Sequence, residues 1–198
     1  MEPLTLTTVV ASTRPGRLGK PIADWFGARA ADHDLFELRT VDLRELALPF
    51  LDEPHPPALR NYTKSHTREW SRIVDGSDAF VFVTPEYNGG FPAPLKNALD
   101  YLVVEWHHKP VGFVSYGGVS GGTRAVQMAK QVVTNLRMMP VGATVSIPFV
   151  NELVEGGALR ANEILENAAE QMLDELGRAA RVLRGLRIES LLASTTRP

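Results

Sequence analysis

An α/β fold built on one parallel sheet, with helices covering both faces, is what this sequence predicts. Three observations lead there. Five short apolar runs rich in β-branched residues recur along the chain. Segments with helical periodicity separate them, and Gly- or Pro-bearing turns follow the runs. Such sheets place ligands in the crevice beyond the carboxyl ends of their strands.

Leu4 to Ala11, rich in Thr and Val, reads as the first strand. Ser12 to Gly19 is a turn carrying Arg14 and Arg17, and Pro21 to Ala31 is helical. Phe36 to Leu43 alternates as a second strand. Leu46 to Tyr62 holds four prolines and reads as a long surface loop, often functional at this length. Lys64 to Val74 is a helix with Trp70 and Ile73 inward. Ala79 to Val83 is a third strand, buried on both faces, that breaks at Thr84-Pro85. Glu86, Tyr87, Asn88 and Gly89 follow on a loop, and a helix with Pro92 and Pro94 in its first turn runs to Val104. Pro110 to Ser115 is strand four, Tyr116 to Gly122 a Gly-rich turn, Thr123 to Met138 a helix and Val141 to Ile147 strand five. From about Ala158 to Leu183, Ile164, Leu165, Ala168, Met172, Leu173, Leu176 and Ala180 form one buried stripe. Met128, Met138 and Met139 are assigned to the core. Residues 1–186 are expected to form a single domain, and 187–198, with little to bury, a flexible C-terminal tail.

Composition excludes several classes. A net charge of -2 gives no electrostatic case for nucleic acid or an anionic membrane. The absence of cysteine removes disulfides, thiol catalysis and thiolate metal sites. Electrons, if they move, need a bound cofactor. No apolar run approaches the roughly 18 residues of a membrane span, and the first residues lack a signal-peptide pattern, so a cytoplasmic soluble protein is the default.

The three turns carry the chemistry. In the first, backbone N–H groups and the positive end of a helix favour an anion. Ser12 adds a hydroxyl, Arg14 and Arg17 add forked charge, and Gly16 and Gly19 permit close backbone approach. A phosphate fits this turn, and a solvated basic turn is the alternative. A Walker loop would need Gly at position 14 and Ser or Thr at 21, where the chain has Arg14 and Pro21. In the second, Pro85 to Asn88 mixes backbone donors, an amide, a ring and a carboxylate, as the edge of a flat heterocycle requires. In the third, Gly118-Val-Ser120-Gly-Gly122 is a literal nucleophile-elbow pattern, yet all five histidines precede Ser120, so a hydrolase triad cannot follow it in order. Its glycines suit a flat wall against a planar ring. The histidines show no metal spacing, and the adjacent His107 and His108 read as a surface pair.

Together the three turns resemble the NAD(P)H-dependent FMN reductase family, flavodoxin-like proteins that include quinone, azo and chromate reductases. The resemblance covers roughly residues 5 to 150. It rests on Ala11 to Gly19, on Thr84 to Asp100, and on Ser115 to Ala125. It implies a flavodoxin-like, doubly wound, five-stranded parallel sheet of order 2-1-3-4-5 with non-covalent FMN at the switch point. Ser12, Arg14, Arg17, Leu18 and Gly19 would hold the phosphate. Pro85, Glu86, Tyr87 and Asn88 would hold the ribityl chain and ring, and Tyr116, Gly117 and Gly118 the far side of the ring. The family's second loop serine is Arg17 here, its asparagine Gly19, and the serine that often follows the asparagine of the second motif is Gly89.

The activity implied is hydride transfer from NAD(P)H through FMN to a quinone-like or other small acceptor. No catalytic side chain and no metal are expected, because the chemistry sits on flavin N5. A flavin-binding electron-transfer or regulatory module without nicotinamide activity is the alternative. The family also implies a homodimer or homotetramer. The helix from Pro92 to Val104 with Trp106 is a candidate interface, with intrachain core the competing reading.

Overall fold

The computed structural model describes residues 3–195, with side chains as far as 188. In chain order the elements are β1 (Leu4–Val10), α1 (Gly19–Ala31), β2 (Phe36–Asp42), α2 (Leu43–Leu46), α3 (Ser65–Asp75), β3 (Ala79–Pro85), α4 (Ala93–Asp100), β4 (Pro110–Tyr116) and α5 (Thr123–Asn135). They continue with β5 (Met139–Pro140), β6 (Val145–Ile147), α6 (Val150–Leu153), β7 (Val154–Glu155), β8 (Ala158–Leu159) and α7 (Glu163–Thr195). Among the described residues no helix is long and apolar enough to cross a membrane.

The main sheet is parallel, in the order β2-β1-β3-β4-β5, with β6 also on β4. This is the expected 2-1-3-4-5 order. Every residue of β3 and β4 is buried, which is why both read as apolar runs rather than as alternating strands. Alternation instead sorts side chains between two cores. Val81 and Val83 of β3 face Ile22, Phe26, Met172 and Leu176 of α1 and α7. Phe80 and Phe82 face Trp70, Leu95, Leu99 and Val126 of α3, α4 and α5.

Register aligns the strand ends that matter. Pro85 pairs with Tyr116, and Tyr116 pairs with Ile147. The loops after β3, β4 and β6 therefore leave the sheet side by side.

Several expectations are corrected. Strand five is not continuous: β5 and β6 pair with the two ends of β4, and between them the N–H groups of Gly142 and Ala143 donate to Glu175 of α7 (2.8 and 3.0 Å). Trp106 is fully buried, its ring 5.0 Å from that of Phe80 and 5.8 Å from that of Trp70, so it and the apolar face of α4 belong to the intrachain core. Met128 and Met139 are exposed, and only Met138 is core. The buried stripe of α7 is Leu165, Ala169, Met172, Leu173, Leu176 and Ala180, leaving Ile164 76% exposed.

The last helix also runs beyond Leu183. Its backbone is helical to Thr195, and Arg187 pairs with Asp78 and donates to the carbonyl of His108 (3.0 Å). The tail expected from 187 is thus helical through 195, and residues 196–198 lie outside the described residues. His107 and His108 are half-buried rather than a free surface pair.

Candidate active site

The first turn, between β1 and α1, is assembled around Gly19. A Cβ there would stand 2.4 Å from Ser12 Oγ and 2.9 Å from the Tyr116 hydroxyl. Only glycine lets the first turn of α1 close on these two groups. Both hydroxyls are buried and, apart from each other, have no polar partner. Burial pushes the Tyr116 phenol up to about 12. Leu18, the residue before α1, provides no side-chain cap, so the first N–H groups of the helix gain no acceptor there.

The two arginines of this turn diverge. Arg14 is exposed, lines the cleft described below and has no ion-pair partner among the described residues. Arg17 does not line the cleft. It forms a forked ion pair with Asp42 at the end of β2 and donates to the Ser12 carbonyl (2.6 Å). The Arg17 guanidinium, expected at the anion, is engaged here by a carboxylate one strand away. Burial alone would raise the Asp42 carboxyl, but Arg17 and the Arg44 N–H (2.9 Å) outweigh it and hold the group below its usual range.

The second turn is a tight hairpin. Tyr87 and Gly90 exchange backbone bonds of 2.9 and 3.0 Å, and Asn88 (φ +52°) and Gly89 (φ +81°) occupy the left-handed positions between them. Asn-Gly is the pair such a turn favours. Asn88 therefore shapes the turn and is not among the residues of the cleft wall. Glu86 donates its N–H to the Tyr116 carbonyl (3.2 Å). Its carboxylate turns to α5, accepting from Arg124 Nε (2.6 Å) and the Arg124 N–H (3.1 Å). An anion at the first turn of a helix suits the helix dipole. Burial opposes ionisation of Glu86, yet these bonds hold its carboxyl below the ordinary range.

The third turn joins β4 to α5. Gly122, the residue before α5, has φ +85°. Gly118 accepts at its carbonyl from Gly121 (3.1 Å) and Phe149 (3.0 Å), and the Gly117 carbonyl accepts from Val150 (3.1 Å). A Cβ on Gly118 would meet nothing within 4 Å, so the turn has an open face. Ser120 Oγ lies 3.5 Å from an Arg124 guanidinium nitrogen rather than beside a histidine, as a hydrolase would need.

These loops enclose a cleft of about 290 Å³ at the carboxyl end of the sheet. Arg14, Leu18, Pro85, Glu86, Tyr87, Tyr116, Gly117 and Gly118 line it, all expected from the sequence. Ser12 and Gly19 sit behind Tyr116. Phe149, Val150, Asn151 and Glu152 complete the wall. Sequence reading missed this segment because it follows a short strand and carries no glycine or charge cluster. The one signal was Pro148 closing an apolar run.

His33 stands 3.4 Å from Asp174 and 3.8 Å from Glu170 on the solvent side of α1 and α7, the one His–carboxylate group of metal-ligand size among the described residues. It lies outside the cleft wall.

Comparison with known proteins bears on the same residues. The family model described as NADPH-dependent FMN reductase matches residues 4–152. An NAD(P)H-dependent FMN reductase of Schizosaccharomyces pombe is 39% identical over 169 residues, covering 83% of this chain and 84% of the relative. A second, from Saccharomyces cerevisiae, is 40% identical over 142 residues, covering 66% and 74%. The solved flavoenzyme NAD(P)H:(acceptor) oxidoreductase FerB of Paracoccus denitrificans superposes with a TM-score of 0.73 at 20% identity, covering 89% of this chain and 98% of that one. Because the family match begins with β1, takes in all three turns and ends in the segment that sequence reading missed, the chain belongs to the NADPH-dependent FMN reductase family.

Proposed function

We propose that this protein is an FMN-dependent oxidoreductase that moves reducing equivalents from NAD(P)H to a quinone-like or other small electron acceptor. For a quinone the balance is NADPH plus one proton plus quinone giving NADP⁺ and hydroquinone. The observation that carries the reading is a cleft that joins the exposed Arg14 and the uncapped start of α1 to an open glycine face, with the buried Ser12 Oγ and Tyr116 OH at its back.

The residues fit FMN. Ser12, Arg14 and the backbone from Arg17 to Gly19 would hold its phosphate, with Arg17 acting through the turn it braces. Pro85, the Glu86 backbone, Tyr87, Tyr116, Gly117 and Gly118 would hold the ring, and Asn88 keeps the hairpin in shape. When bound, FMN supplies hydride chemistry at its N5. The chain's own part is binding and orientation. Tyr116 stays protonated up to about 12 and remains a donor throughout the physiological range. Glu86 stays ionised and engaged with Arg124, so it fixes loop geometry and leaves proton transfer to solvent.

Anaerobic mixing of the yellow holoprotein with NADPH should bleach the flavin within the mixing time of a manual assay. Persistent yellow colour would instead support an electron-transfer module. Arg14→Ala should weaken FMN binding by about tenfold, the worth of one charge-assisted contact to phosphate. Flavin titration of the apoprotein reads this out, and an unchanged Kd would remove Arg14 from the phosphate site.

A homodimer or homotetramer belongs to the same reading. The segment between α2 and α3 shows Phe50 (83% exposed), Leu51 and Leu59 to solvent, apolar surface of the kind that a second copy covers. A solution mass of one chain would contradict it. A cytoplasmic setting, where reduced nicotinamide is supplied, completes the proposal.

A further inference from the structure

Phe149 stands in the left-handed region, with φ +47° and ψ +42°. An aromatic residue there is strained, and asparagine or glycine would fit more easily. Its backbone is fixed on both sides: its N–H donates to the Gly118 carbonyl (3.0 Å), and its own carbonyl accepts from Glu152 (2.9 Å). Burial does not account for the choice of residue, because the residue is 52% exposed. What the strained backbone does is keep an aromatic ring in the wall of the cleft.

A second aromatic residue lies on the other side. Tyr87, 38% exposed, lines the same cleft from the hairpin after β3. β4 lies between β3 and β6 in the sheet, so the Gly117–Gly118 turn at its end separates the two aromatic residues. The two rings therefore flank the glycine face that the reading above gives to the flavin ring, and so border the opening by which an acceptor would reach it. Planar aromatic molecules gain from such walls through apolar burial and ring stacking, which a compact hydrated anion cannot match.

Resting on the oxidoreductase reading above, we propose that Phe149 is a specificity-determining residue: with Tyr87 it gives the cleft an aromatic mouth that selects planar quinones over inorganic electron acceptors. It is no catalytic group, since it has no proton or electron pair to exchange.

The test compares two acceptors on the FMN-loaded protein at saturating NADPH. Menadione is flat and aromatic. Ferricyanide is octahedral and takes one electron, so two are reduced per NADPH. In Phe149→Asn, which suits the left-handed backbone, the ratio of kcat/KM for menadione to that for ferricyanide should fall about tenfold. The change should lie mainly in the menadione KM, and the thermal midpoint should not drop. Phe149→Trp should restore the ratio to within about threefold of wild type.

An unchanged ratio in Phe149→Asn would overturn the inference, as would equal losses with both acceptors, which mark a merely structural role. A wild-type flavin that NADPH fails to bleach would overturn the oxidoreductase reading, and this inference with it. Normal bleaching with an unchanged ratio overturns the inference alone.

Discussion

Asp42→Ala is expected to destabilise the protein by about 3–5 kcal/mol and to strip it of most of its flavin. The side chains of Arg17 and Asp42 are only 10% and 3% exposed. Removing the carboxylate leaves a guanidinium desolvated and unpaired, and breaking one side of such a pair carries a cost of that size. The same arginine ties down the Ser12 carbonyl, so the turn proposed to hold the phosphate loosens with it. For a chain of this length the melting temperature should drop on the order of 10 °C. The double variant Arg17→Met with Asp42→Leu separates the two effects: it should recover most of the melting temperature without recovering flavin affinity. Recovery of both would show that the pair has no part in shaping the site.

The pair also sets an acid limit. The Asp42 carboxyl titrates below its usual range in the folded protein. The unfolded chain therefore takes up this proton more readily than the folded one as the pH drops. The stabilisation is complete above about pH 4 and is lost as the pH falls through the folded value. Acid unfolding of Asp42→Asn should lack this component, which urea midpoints across pH 2–6 would reveal.

Gly122→Ala should cost about 3 kcal/mol, combining the left-handed penalty with a collision. The added Cβ would meet Ser115 Cβ and the Tyr116 nitrogen at 2.8 Å, and these atoms belong to a strand that cannot move aside. Gly156 offers the control. Its φ is +61°, and nothing lies within 4 Å of a Cβ. Gly156→Ala should therefore show only the conformational share, about 1 kcal/mol. Thermal unfolding of the two variants gives the comparison. Equal losses would mean that the clash at Gly122 is relieved by relaxation.

What was legible in the sequence follows from the range of the forces involved. Strands buried on both faces, such as β3 and β4, announce themselves as apolar runs. Turns that need glycine or a charged side chain show those residues locally, so eight cleft residues could be read directly. Pairings across the sheet could not. Nothing near Arg17 points to Asp42, 25 positions on, and nothing near Glu86 points to Arg124, 38 positions on. Both partnerships brace side chains that the sequence alone offers to a ligand. The turn-forming part of Asn88 was open as well, because an Asn-Gly pair serves a turn and a ligand equally well on paper. Ile164 went wrong by the smallest step a helix allows, since Leu165 beside it takes the buried position. The segment from Phe149 to Glu152 was invisible because its place in the cleft depends on register between β4 and β6.

The gap between β5 and β6 blunts one edge of the sheet. An outermost strand is a row of unpaired peptide groups on which another chain can grow. Here that row is cut into pieces of two and three residues. In the gap, Glu175 accepts the Gly142 and Ala143 N–H groups, so part of the exposed backbone is already satisfied and carries a negative charge. This border of the sheet is a poor template for a further strand, whereas the opposite border is the continuous seven-residue β2.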